Sequence, residues 1–179
     1  MNIGEIVITV VVGVLAAFIF LVYPTLATAE QNEKVSQLAV QQVTSDFVNK
    51  AATKGAITSS DFDGFVQQLN ATGNTFDVQI EVQHLDTNVG DKTALTSGSL
   101  VGSTDTYSTF LSAIQNDTKY TNGNGYPLKK GDTVIATVKN TNTTIAQELR
   151  KFFYQVTGQG TYTIGASSSA MVVNNGGTQ

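Results

Sequence analysis

The sequence predicts an α+β protein: a long N-terminal helix carrying a head built from a small antiparallel sheet and short helices. Three observations predict it. Residues 6–23, IVITVVVGVLAAFIFLVY, form an apolar run of eighteen residues. Apolar residues then recur at spacings of three and four as far as Phe47, the period of one helix face. Farther on, residues 75–85, TFDVQIEVQHL, alternate apolar and polar, the period of a half-buried strand.

The helix comes first. Eighteen residues at ~1.5 Å rise span roughly 27 Å, against a bilayer core of about 30 Å. From 25 to 52 the helix turns amphipathic. Leu26, Ala29, Val35, Leu38, Ala39, Val43 and Phe47 make its apolar stripe, with Glu30, Glu33, Lys34, Gln37, Gln41 and Asp46 between them. Pro24 joins the two halves and predicts a kink, since it removes one backbone hydrogen bond and crowds the preceding turn. Residues 1–52 are therefore one helix, hydrophobic over 1–24, and Lys54-Gly55 ends it with a C-terminal glycine.

The head follows, over 56–173. Thr58, Ser59 and Ser60 cap a short helix at 59–70 with Phe62, Phe65, Val66 and Leu69 inward. Residues 71–74 read as a turn and 75–85 as a strand, with Phe76, Val78, Ile80 and Val82 on the buried face. Residues 86–105 read as a loop, 105–115 as a short helix, and 116–131 as a polar loop dense in Asn and Gly. Thr133–Lys139 is a second strand. Asn140–Thr144 cap a helix ending near Val156, with Ile145, Leu149, Phe152 and Phe153 inward. Thr161–Val173 is a third strand, and the 174–179 tail is frayed.

Composition removes several classes of function. The chain has no Cys, so a disulfide framework, a thiolate zinc site and a thiol nucleophile are excluded. Fourteen acids against ten bases give an acidic chain, and no basic cluster exceeds the pairs Lys129–Lys130 and Arg150–Lys151. Direct nucleic-acid binding is not expected. No catalytic or nucleotide-binding motif is present, and no cofactor is expected. The single histidine, His84, sits at the end of the alternating strand near Glu81 and Asp86 and reads as an ordinary strand-end residue, with no metal site. Asp117 in the Asn116–Gly125 loop is a calcium candidate only by its oxygen-rich surroundings, and an ordinary surface loop is the simpler reading. Asn70, Asn116 and Asn142 match the N-glycosylation acceptor pattern, which arises by chance in a Thr- and Asn-rich chain.

The most informative feature is a charge asymmetry. Glu5 precedes the apolar run, and no basic residue occurs before Lys34. Secretory signals and first membrane helices normally carry Lys or Arg ahead of the run. Three readings follow. A cleavable signal fits Ala27-Thr28-Ala29 but lacks the basic region. A plain single-pass anchor explains the length but not Glu5, whose charge costs about 2.5–3.5 kcal/mol deep in a bilayer. An apolar helix that packs against copies of itself gives Glu5 a task, because its carboxylate can pair with the Met1 amine of its own or a neighbouring chain.

Glu5, the apolar run containing Gly13-Val14-Leu15-Ala16-Ala17, and a proline in the low twenties resemble the mature N-terminus of type IV pilins and pseudopilins. The stretches 46–85 and 138–164 are similar to tight-adherence pilin-like proteins of Gram-positive bacteria. The likeness departs at the opening MNIG and in the missing paired cysteines. It implies a pilin-like subunit of an extracellular cell-surface filament, not an enzyme. A prepilin peptidase would remove a basic leader, leaving Met1 as a methylated first residue, and pilus assembly machinery would draw the subunit from the cytoplasmic membrane into a helical homopolymer. Met1 and Glu5 would set register. Ile3, Gly4, Ile6, Val10, Gly13, Val14, Ala17, Phe20, Leu21 and Pro24 would pack in the filament core. The alternative is a membrane-anchored extracytoplasmic protein that never polymerises, an adhesin or a minor assembly factor.

Overall fold

The computed structural model describes residues 2–85, 106–154 and 163–175. Helix α1 runs Ile3–Lys54 without interruption. Pro24 lies inside it, and the helix continues through the missing hydrogen bond instead of breaking there. Side-chain hydroxyls add bonds on both sides of the proline: Thr25 Oγ1 donates to Leu21 O at 2.7 Å and Thr28 Oγ1 to Pro24 O at 2.9 Å. Gly55 ends the helix with φ +73°, a left-handed conformation that a side chain would strain, and its N–H bonds Ala51 O.

The head is α+β, as the sequence predicts. In chain order the elements are β1 (Ala56–Ile57), α2 (Ser59–Asn70), β2 (Phe76–Leu85), β3 (Thr106–Phe110), α3 (Leu111–Gln115), α4 (Thr118–Thr121), β4 (Tyr126–Pro127), β5 (Thr133–Asn140), α5 (Ile145–Tyr154) and β6 (Gly165–Met171). One antiparallel sheet has the order β3-β2-β5-β6, and β1 pairs with β4 in a two-stranded sheet. The second half of α1 lies across β5 and β6. Val40, Phe47, Val48, Ala51 and Ala52 of the helix meet Ile80, Val82, Val134, Ala136 and Val138 of the sheet in one core. Phe47 and Phe65 stack with ring centroids 4.4 Å apart, which locks α2 onto α1. Asp61, in the first turn of α2, takes Lys50 and Lys54 at 2.8 and 2.7 Å.

Several expectations are corrected. The inward stripe of α1 is Glu33, Val40, Thr44, Phe47, Val48, Ala51 and Ala52, whereas Val35 and Leu38 are 60% and 65% exposed. Two helix faces carry apolar residues, and the sheet selects the one that also holds Gln37. The Gln37 amide clasps the start of β6, donating to Gly165 O at 2.6 Å and accepting from Gly165 N at 2.9 Å. A Cβ on Gly165 would lie 2.9 Å from Val138 O, so glycine permits this close approach.

The segment 106–110 is a strand, not the start of a helix. Thr106–Phe110 pairs with Glu81–Leu85, and the sheet edge overrides the weak local preference; only 111–115 is helical. Within 116–131 the chain forms α4 and β4, because Asp117 caps Lys119 N and Tyr120 buries its ring. Ile145 is 72% exposed, and Ala146 and Gln147 are the buried residues of that turn of α5. The third strand starts at Gly165. Asn174 and Asn175 are not frayed: Asn174 Nδ2 donates to Thr53 O, and Asn175 Oδ1 accepts from Lys130 N. The expected loop at 86–105 lies outside the described residues.

Candidate functional site

Among the described residues, two regions carry the chemistry. The first is the apolar half of α1. Ile3, Gly4, Ile6, Val10, Gly13, Val14, Ala17, Phe20, Leu21 and Pro24 are all exposed, and the head covers none of the apolar span. The helix is long and apolar enough to cross a membrane. A Cβ on Gly4 or Gly13 would meet no atom within 4 Å, so these two small residues face open space. Met1 lies outside the described residues. Glu5 reaches back along its own chain, and Asn2 N donates to its Oε2 at 3.1 Å. That is one arm of a capping box, and a carboxylate there also complements the positive end of the helix dipole.

Just past the apolar span, a groove of about 630 Å³ separates α1 from two turns of the head. Pro24, Thr28 and Glu33 line one wall, Asn74, Asn142 and Thr144 the other. Glu33 is 5% exposed and accepts the Thr144 hydroxyl at 3.0 Å. Its place between the apolar positions of the expected stripe predicts the solvent side of the helix, and the docked head reverses that. Asn142, one of the three glycosylation candidates, spends its amide inside the head: Oδ1 accepts from Thr75 N and Nδ2 donates to Asn74 Oδ1. Asn70 and Asn116 are exposed. Asp117 acts as a helix cap, and no group of metal-ligating side chains occurs among the described residues.

The second region is not expected from the sequence. His84 is 5% exposed, on the inward face of β2 in line with Ile80 and Val82. Its Nδ1 lies 2.9 Å from Asp132 Oδ2 and its Nε2 3.0 Å from the Tyr126 hydroxyl. Asp132 Oδ2 also accepts from Lys129 N at 2.8 Å. The Tyr107 ring, directly across from His84 in the β2–β3 pairing, stacks on the imidazole at 4.8 Å. His84 thus ties the four-stranded sheet to the two-stranded one. Glu81 is not its partner and points to the other face; Asp86 lies outside the described residues. Strand parity carries the signal. His84 shares the parity of Ile80 and Val82, and Asp132 that of the buried Val134 and Ala136. The β2–β5 register, extended by one pair beyond Gln83 and Thr133, sets the two together.

Burial pushes the Tyr126 phenol above its ordinary pKa, with a partial offset from its Thr109 hydrogen bond. Asp61 behaves oppositely. Burial alone would raise it, but hydrogen bonds from Lys50, Lys54 and Thr58 hold it well below the usual carboxylate range. Compared with protein-family models, curated proteins and solved structures, the chain matches none.

Proposed function

We propose that this chain is a structural subunit of an extracellular pilus-like filament, and that it polymerises through the apolar half of α1. The observation that carries the reading is the division of one continuous helix. Residues 33–52 bury one face against the head, while the apolar span before them buries nothing within the chain. At ~25 cal/mol per Å² of apolar area, covering that span with copies of itself supplies a large driving force once it leaves lipid. Such contacts are head-to-tail and leave the polymer open-ended. The head is then the surface that the filament displays.

One observation favours the alternative, a membrane-anchored extracytoplasmic protein that does not polymerise. Glu5 already has a partner in its own chain, the Asn2 N–H, so its presence does not require a neighbour. Detergent removal from the purified full chain separates the two readings. A subunit forms sedimentable fibres of uniform width; an anchor gives irregular aggregates or enters vesicles as single copies.

A further inference from the structure

The network joining the two sheets has a chemical capacity that a structural joint does not need. A carboxylate can only accept, so with Asp132 ionised Nδ1 of His84 carries the proton and Nε2 turns its lone pair to the Tyr126 hydroxyl. Carboxylate, imidazole and hydroxyl follow one another as in hydrolytic triads, where the carboxylate orients the imidazole as a base. Here the hydroxyl is a half-buried phenol, and burial disfavours its phenolate. Nucleophilic attack is therefore a poor use of the arrangement. Loss of an electron and a proton together avoids the phenolate, and the proton already has an acceptor 3.0 Å away.

We propose that Tyr126 is a redox-active tyrosine that gives one electron to an external one-electron oxidant while its proton passes to Nε2 of His84. The O–H bond of Tyr126 breaks and an N–H bond forms on the imidazole. The oxidant, an oxidised metal complex or an oxygen-derived radical, is reduced by one electron. The products are a neutral phenoxyl radical and an imidazolium held against the Asp132 carboxylate, so the new charge is paired where it forms. Tyr107, stacked on His84 and 53% exposed, extends the aromatic contact from the network toward the surface. The proposal does not rest on the filament reading, and it holds equally for a membrane-anchored monomer.

The test is photo-oxidation of the full chain in detergent micelles with a ruthenium tris-bipyridyl complex and persulfate, read by electron paramagnetic and electron-nuclear double resonance. The expected result is a phenoxyl signal whose oxygen is hydrogen-bonded to the exchangeable imidazolium Nε2 proton of His84, beside the Thr109 hydroxyl. That signal is lost in Tyr126→Phe and kept in Tyr23→Phe. His84→Leu, which removes the donor, should abolish the coupling to that imidazolium proton if circular dichroism shows the head intact, leaving only what the Thr109 hydroxyl contributes. An unchanged signal in Tyr126→Phe, or a wild-type radical without that imidazolium proton, overturns the proposal whether or not His84→Leu folds.

Discussion

Nδ1 of His84 sits 2.9 Å from Oδ2 of Asp132, and both side chains are almost wholly buried, at 7% and 1% exposure. The pair extends the β2–β5 register by one step beyond Gln83 and Thr133, so the same alternation that builds the hydrophobic core also delivers a polar pair to its edge. Removing one member leaves the other buried without its partner. Asp132→Ala should destabilise the head by on the order of 3 kcal/mol in urea unfolding, because it also orphans the Lys129 N–H. A change below about 0.5 kcal/mol would mean that the joint is not a stabilising element.

Phe47 joins α1 to α2 through its stack on Phe65. Phe47→Ala should cost about 3–5 kcal/mol, the usual loss for a large aromatic truncated in a packed core. Thermal unfolding followed by circular dichroism would record it as a lower melting temperature of the head. Retention of the apolar span in membranes should not change.

Asp61 gives a pH dependence of defined sign. Its folded pKa lies below its unfolded value, so its contribution is fully present above the unfolded pKa of about 3.9 and is lost as pH falls toward the folded one. Lys50 and Lys54 are 64% and 45% exposed, so screening holds the contribution to roughly 1 kcal/mol. The stability gap between wild type and Asp61→Asn should be flat from pH 7 to about pH 5 and shrink below about pH 4. A gap that widens on acidification contradicts the assignment.

Leu38 distinguishes the two surfaces of α1. It is 65% exposed and makes no core contact, so Leu38→Ser should change head stability by less than about 0.5 kcal/mol. The same substitution at Val48, which is fully buried, should cost several times more.

Glu5 separates capping from register. Gln can replace Glu in a capping box, whereas Ala cannot. If the charge of Glu5 acts between copies, Glu5→Gln and Glu5→Ala should both sharply reduce the yield of sedimentable polymer while the head unfolds as in wild type. Normal polymer from Glu5→Gln with loss only in Glu5→Ala would assign the residue to its own helix end.

Much of this architecture is legible in the sequence, where local rules and tertiary packing agree. The Thr58 cap, the Gly55 stop and the β2 alternation are local signals, and the structure places α2 and β2 within a residue of the expected bounds. The local Asp117 cap of α4 aside, the misses trace to a non-local partner. The stripe through Val35 and Leu38 is as periodic as the one through Val40 and Thr44, and only the docked sheet selects between them. Strand β3 is set by β2 rather than by its own TYSTF. His84 looks like a strand end in the sequence because its partners stand 48 and 42 residues away, at Asp132 and Tyr126. Parity along both strands points to the first of them.

In the proposed filament, the exposed apolar half of α1 becomes a buried polymer core. Cryo-electron microscopy of filaments grown from the full chain tests this most directly. The expected result is a helical map with the 3–23 segments of many copies packed side by side on the axis and the heads arrayed outside. A map whose contacts run only between heads, or particles that remain single copies in lipid, would contradict it.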